Sequence, residues 1–337
     1  MHILELSGEN LELSRIEAES LLNLKDTQAT GQYLACSIPT INLDKIQRLA
    51  YTKKIYEVLY STDVKNLEAS LEVYPWKNYY RKNFCVRIDS IIPKENLSKS
   101  NGSINSYDER HYAKFIWRGL VKENINPKVD LDKPQLLIHI FIKKNIALIC
   151  RFVYENTEDF ESRKAHFRPV LHPTAMHPKM ARALVNILNP NPKEAVIDPF
   201  CGACGILTEA GLVKIKFIGY DIEKKMLDSA KINLRHYKIN PKSYRLVKKD
   251  ATTIKNLRNV VTDLPYGLSS KKSESLEKLY AKFLKNIIGN AVVVMPDFMD
   301  YKKLLKENLS KKLKVVRIIN YYVHKSLTRK IIIIREI

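Results

Sequence analysis

A chain of 337 residues with 45 % hydrophobic content has enough apolar side chain to build more than one core, which excludes a disordered tail. Its 57 Lys and Arg against 36 Asp and Glu leave a formal charge of +21, an excess that points to a polyanionic partner, because each phosphate neutralised by a cation releases counterions. The five cysteines are scattered and odd in number, so no disulfide framework is implied and a reducing cytoplasm is the expected compartment.

The start, "MHILELSGENLELS", has no basic head or long apolar core of a signal peptide, and apolar runs such as Ile331 to Ile334 fall far below the roughly 18 residues that span a bilayer. A soluble protein without membrane contact is expected. Residues 1–62 read as a small β-α-β-α-β unit: "HILEL", "QYLACSI" and "KIYEVLYS" as strands, with helices at "IEAESLLNL", where Ser14 and Glu17 have capping-box spacing, and at "INLDKIQRLA". A second unit over 63–153 holds the strand "NFCVRIDSI", a polar loop near 97 to 107, the helix "ERHYAKFIWRGLVKEN", and a hairpin of "QLLIHIFI" and "NIALICRFV". Residues 154–175, without steady period and with clustered Arg, Lys and His, read as a linker. From 176 to 337 strands alternate with helices: "AVIDPF", "KFIGYD", "SYRLVKKD", "NVVTD" and "AVVVMPDF" are strands, and "KLKVVRIINYYVH" with "RKIIIIREI" forms a final antiparallel pair. The fold class is α/β: a seven-stranded Rossmann-like methyltransferase domain behind an α+β N-terminal region.

The chemistry sits at strand ends. Asp198-Pro199-Phe200-Cys201-Gly202-Ala203-Cys204-Gly205 joins the first strand to a helix, and its two glycines let backbone approach a ligand beside a helix N-terminus. The Gly-x-Gly-x-x-Gly of a pyrophosphate site is absent. Asp221 ends the second strand, 23 residues after Asp198, where a carboxylate can accept both ribose hydroxyls of a nucleoside cofactor, and Asp250 follows the third, where it can accept from an adenine amine. The fourth strand ends in Asp263-Leu264-Pro265-Tyr266. An exocyclic base amine is a poor nucleophile until its N–H bonds point at acceptors. Asp263 offers one, the Leu264 carbonyl, set extended by Pro265, offers a second, and Tyr266 offers a flat face for the base. Cys201 and Cys204 form a Cys-x-x-Cys, but no second pair stands at zinc spacing, so no metal site is read. His166, His172 and His177 are assigned packing or capping.

"DPFCGACGILTEA", "GYDIEKKMLDSAKINL", "VVTDLPYG", "HKSLTRKIIII" and "RPVLHPTAMHPKMARALVNIL" together resemble the archaeal tRNA (guanine10-N2)-methyltransferases, well over 163–337; before that the resemblance rests on architecture and on "VDLDKPQLLIHIFI". It implies an N-terminal ferredoxin-like domain over 1–62, a THUMP RNA-binding domain over 63–153, a linker over 154–175 and the catalytic domain over 176–337. It implies S-adenosylmethionine as cofactor, with Asp198, Cys201, Gly202 and Gly205 along its methionine part, Asp221 at the ribose, Asp250 at the adenine, and Thr174, Pro199, Phe200, Ile222, Ala251 and Asp263 beside them. The guanine would meet Asp263 to Tyr266, and the product would be N2-methyl- and N2,N2-dimethylguanosine at position 10. The partner implied is tRNA, gripped by Arg163, Lys164 and Arg168 in the linker and Lys325 and Arg329 in the terminal hairpin. Ala203-Cys204 stands where the family usually has Thr-Gly. The chain is expected to be a monomer, with a small zinc-binding activator subunit as a further partner in relatives outside archaea. N2 methylation at another tRNA position or in ribosomal RNA, an RNA-binding protein without catalysis, and a DNA amino-methyltransferase are the alternatives.

Overall fold

The described residues of the computed structural model are 1–91, 108–171, 175–266, 270–324 and 327–337, with the backbone alone for 270–275. The polar loop expected near 97 to 107 lies outside them. In chain order the N-terminal elements are β1 (His2–Leu6), α1 (Leu11–Leu22), β2 (Gln28–Thr30), β3 (Tyr33–Cys36), α2 (Leu43–Ile46), β4 (Thr52–Asp63), α3 (Leu67–Val73), β5 (Phe84–Ser90), α4 (Glu109–Lys122), β6 (Leu136–Lys143) and β7 (Ile146–Glu155). The chain divides into two compact units, and they are interleaved: the first holds Met1–Leu11, Leu24–Ile46 and Thr52–Asn156, the second Glu12–Asn23, Gln47–Tyr51 and Thr157–Ile337.

The first unit is built on one seven-stranded sheet in the order β2-β3-β1-β4-β7-β6-β5. Its centre is β4, long enough to pair with β1 from His2↔Glu57 to Leu6↔Thr52 on one side and with β7 from Lys54↔Glu155 to Asp63↔Ile146 on the other. The two segments read from sequence as separate units, 1–62 and 63–153, therefore share one sheet. Only β5 and β6 run parallel, as the intervening helix α4 allows. The β6–β7 hairpin turns at Lys144, which takes a positive φ of 55° as such a turn requires. Trp76, Phe84, Ile116, Leu120, Ile138 and Ile140 are all fully buried on the α3 and α4 face. The two helices approach so closely that a Cβ on Gly119 would stand 2.5 Å from the Glu72 carbonyl oxygen.

The second unit contains α5 (Pro178–Leu188), β8 (Val196–Asp198), α6 (Gly205–Leu212), β9 (Phe217–Asp221), α7 (Lys224–His236), β10 (Tyr244–Lys248), β11 (Val260–Asp263), α8 (Ser270–Leu284), β12 (Ala291–Pro296), α9 (Tyr301–Asn308), β13 (Leu313–His324) and β14 (Leu327–Glu336). Its sheet runs β10-β9-β8-β11-β12-β14-β13, parallel up to β12 and antiparallel thereafter, with the expected final hairpin at the edge. The unbroken Val292 to Met295 and Ile331 to Ile334 runs are what a strand covered on both faces demands, and all eight side chains are buried.

Ser14 and Glu17 do not cap α1, which starts three residues earlier; both side chains are buried inside it. The carboxylate of Glu17 accepts from the backbone N–H groups of Ala50 and Tyr51, each at 2.8 Å, and from the Asn186 amide at 2.7 Å. Those bonds also explain why α2 lasts a single turn where a longer helix was expected: the N–H groups at 50 and 51 go to a side chain instead of to carbonyls four residues back. Burial pushes the Glu17 carboxyl up, and its three donors and the Arg182 charge oppose that rise. Replacing Glu17 by Ala strands two buried backbone donors, so Glu17→Ala should lower unfolding free energy by about 3 kcal/mol in denaturant titration. An unchanged midpoint would mean that water enters to replace the carboxylate.

Candidate active site

The carboxyl ends of β8, β9, β10 and β11 lie along one rim of the second sheet, because all four strands are parallel neighbours. Asp198 closes β8. Its Oδ1 accepts from Thr262 Oγ1 of β11 at 2.6 Å and from the Phe200 N–H at 3.0 Å. Burial, reinforced by Asp263 and Asp221, pushes its carboxyl up to about 7 against those two hydrogen bonds. The loop that follows needs two left-handed residues, Gly202 at φ 50° and Cys204 at φ 63°. Glycine takes that conformation freely, whereas a cysteine is strained there by roughly 1–2 kcal/mol; the thiol of Cys204 is fully buried in the core under α6. The Gly202 N–H donates to Asp221 Oδ2 at 3.0 Å, and Asp221 Oδ1 accepts from the Glu223 N–H at 2.8 Å, so the aspartate after β9 also shapes the glycine loop. Asp250 Oδ1 accepts from both the N–H and the hydroxyl of Thr252 at 2.8 Å, leaving Oδ2 for a ligand.

Asp263 ends β11. Its Oδ1 accepts a short hydrogen bond from the Tyr266 hydroxyl, and its Oδ2 stands 3.4 Å from Arg329 Nη2, whose guanidinium lies 5.8 Å from the Tyr266 ring centroid. Burial pushes the Asp263 carboxyl up to about 6, with the Arg329 charge and the Tyr266 bond holding it back. The Leu264 N–H is fixed on the Val294 carbonyl at 3.0 Å and the Pro265 carbonyl accepts from the Tyr280 hydroxyl at 2.7 Å, so the peptide carrying the Leu264 carbonyl is clamped on both sides. A cavity of about 580 Å³ opens over this rim, within the range of small-molecule sites. It is lined by every cofactor residue expected from the sequence except Thr174, which lies outside the described residues, and by Leu264, Pro265 and Tyr266. Met176, Met226 and Leu279 add apolar wall that the sequence reading did not identify.

The five cations expected on RNA are placed differently. The Arg163 guanidinium is nearly buried between Glu158 and Glu209, each at 2.9 Å, and Arg182 reaches the same Glu209 at 2.8 Å. Arg168 is 6 % exposed and lines the cavity. Arg329 is on Asp263. Lys164 pairs with Glu161 near the surface, and Lys325 lies outside the described residues. Of the histidines, His177 does cap a helix: its Nδ1 accepts from the Lys179 N–H at the start of α5. Cys201 and Cys204 are free thiols, and among the described residues no cluster of three or more potential metal ligands occurs. No helix among them is long and apolar enough to cross a membrane.

The sequence profile of the RMKL-like, methyltransferase domain family matches residues 165–330, the span that contains the whole rim. A profile described as DNA methylase matches 46–232 and ends before Asp263. The tRNA (guanine(10)-N2)-dimethyltransferase of Methanothermobacter thermautotrophicus is 32 % identical over 305 residues, 86 % of this chain and 84 % of its own. The chain belongs to the tRNA (guanine(10)-N2)-dimethyltransferase family. A tRNA (guanine(6)-N2)-methyltransferase of Methanocaldococcus jannaschii matches less of it, at 23 % identity over 49 % of this chain and 53 % of its own. The solved structure of TrmN from Thermus thermophilus covers 100 % of this chain and 99 % of its own at 16 % identity and a TM-score of 0.51, a likeness of fold.

Because the carboxyl of Asp198 sits near 7 in the folded chain against 3.8 for an ordinary aspartate, the folded state binds a proton that the unfolded state has released between those values. Stability should therefore fall as pH rises from about 4 to 7. Asp198→Asn keeps the Oδ1 acceptor for Thr262 and Phe200 and removes the titration, so denaturant midpoints of the variant should change less between pH 5 and 8 than those of the native chain; equal slopes would sink this assignment.

Proposed function

We propose that the protein transfers methyl groups from S-adenosylmethionine to the exocyclic N2 of guanosine 10 in tRNA, giving N2-methyl- and then N2,N2-dimethylguanosine. The observation that carries this reading is Asp263, with Leu264, Pro265 and Tyr266, on the rim of the cavity that Asp221 and Asp250 also line, in a chain of this family. When bound, the cofactor supplies an electrophilic methyl on a sulfonium. The protein's part is to bind, orient and polarise. Asp221 is suited to the ribose hydroxyls, Asp250 Oδ2 to the adenine amine, and the loop from Asp198 to Gly205 to the methionine part.

A guanine in a stem must leave its stack, at roughly a few kcal/mol. On arrival its N2 would meet an acceptor already bonded to the Tyr266 hydroxyl; a carboxylate oxygen accepts more than one hydrogen bond, so Asp263 Oδ1 can take one from the base as well, with the Tyr266 ring offering a face for stacking. Arg329 remains on Oδ2 and keeps the carboxyl ionised near neutrality. The second N–H would find the clamped Leu264 carbonyl. The first unit, read as ferredoxin-like over 1–62 and THUMP over 63–153 on one continuous sheet, would hold the rest of the tRNA, with Lys164 and Lys325 as phosphate contacts and the +21 charge supplying long-range attraction. Position 10 is preferred over position 6 because the match to the position-10 relative runs through most of both chains and the other through half.

Purified protein should transfer label from radiolabelled cofactor into an unmodified tRNA transcript and not into one with adenine at position 10. Label in both transcripts would overturn the address. Label from the chain alone would dispense with an activator subunit, and cofactor binding without label would call for one. Asp263→Asn should reduce single-turnover methylation at least about 100-fold. In the native enzyme that rate should rise with pH to a midpoint near 6, and Arg329→Gln, by removing the charge that holds the Asp263 carboxyl down, should move the midpoint upward; a downward move would exclude Asp263 as the titrating group.

A further inference from the structure

Arg168 is 6 % exposed, lines the cavity, and uses little of its hydrogen-bonding capacity. Its Nε donates to the Arg163 carbonyl at 3.1 Å, while its Nη2 is completely buried with no partner among the described residues. A guanidinium is a planar set of five donors, and an unmet donor in a buried cation is costly. The group's position makes this more pointed. A Cβ on Gly205 would stand 3.1 Å from Arg168 Nη1, so the guanidinium lies over the first residue of α6. That helix end already carries unpaired N–H groups and partial positive charge. α6 itself does not offset it: the helix has no acidic residue in its first turn, and Cys204 at its N-cap makes no side-chain hydrogen bond. A buried cation and a positive helix end thus converge on one point of the cavity, with no ion pair to Arg168 among the described residues.

The arrangement is held in place from behind. Arg163, whose carbonyl receives Arg168 Nε, is itself fixed by the buried Glu209 of α6. Two residues beyond Arg168, the Val170 N–H donates to Asn233 Oδ1 at 3.1 Å, and the Asn233 amide donates to the carbonyls of Val170 and of Ala203 in the glycine loop, each at 3.3 Å. The linker is thereby tied to the loop on both sides of Arg168. A phosphate of tRNA would have to enter the cavity to reach it, whereas a small anionic group carried by the cofactor would meet it directly.

We propose that Arg168, together with the N-terminus of α6 at Gly205, binds the α-carboxylate of the amino-acid part of the cofactor. This rests on the cofactor reading above. The carboxylate is the one anionic group of S-adenosylmethionine, and placing it here puts the amino-acid part along the loop from Asp198 to Gly205 while Asp221 takes the ribose. Arg168 is in that case a cofactor ligand and not an RNA contact.

The test is calorimetric, on the full chain, with two ligands: S-adenosylhomocysteine and its decarboxylated analogue, which keeps the amine and lacks the carboxylate. The native protein should bind the first about 30-fold more tightly than the second, the scale of a charge-assisted bidentate contact. Arg168→Met should lose most of that difference, weakening S-adenosylhomocysteine and leaving the analogue unchanged. Arg168→Lys, which keeps the charge and the linker packing, should recover part of it and guards against a variant that fails to fold. If Arg168→Met weakens both ligands equally, or leaves both unchanged while weakening tRNA, the proposal is overturned. A native protein that binds neither ligand overturns the cofactor reading along with it.

Discussion

Beneath the cavity floor, Thr262 Oγ1 donates to Asp198 across the boundary between β8 and β11. Those strands share a single register pair, Val260↔Ile197, so backbone alone does little to fix their ends. The side-chain bond carries the alignment to the rim, and it is buried where water cannot compete for it. The rim depends on that alignment: Asp198 starts the loop that meets the Asp221 carboxylate through Gly202, and Thr262 precedes Asp263 at the end of β11.

Four carboxylates line one cavity, Asp198 buried and the other three half-buried, and the protein meets them in different ways. Asp221 and Asp250 are met by backbone N–H groups. Asp263 is given a cation, and Asp198, given only dipoles, has its carboxyl raised further than that of Asp263. Glu209, fully buried on α6, is neutralised by two arginines at once. Removing either arginine would leave a charge with less compensation than a buried pair needs. The linker is therefore no loose strap; it enters the catalytic unit through its cations.

Much of this was legible in the residues. The strand-helix alternation from 195 onward, the acids at strand ends and the continuous Val and Ile runs fix a parallel sheet, its rim and its antiparallel edge, because each signal is local. What failed was non-local. Ser14 and Glu17 have the spacing of a cap, yet the acceptors and donors that matter to Glu17 lie at 50, 51 and 186. Arg163 and Arg329 read as contacts for RNA because in sequence a buried arginine differs from an exposed one only by its partner, and these partners stand 46 and 66 residues away. The membership of β1 and β7 in one sheet was hidden for the same reason, since only β4 brings them together.

The interleaving of the two units has a consequence for how the chain is made. On the ribosome β1 and β4 emerge early, but the sheet they centre is incomplete until β7, near residue 155, has been synthesised. Helix α1 waits longer: Leu13 and Ile16 belong to one buried core with Leu184, Val185 and Leu188, so that core cannot close until α5 has left the tunnel. No single cut in the sequence yields either unit whole. Each unit is complete only when segments synthesised at well-separated times have come together.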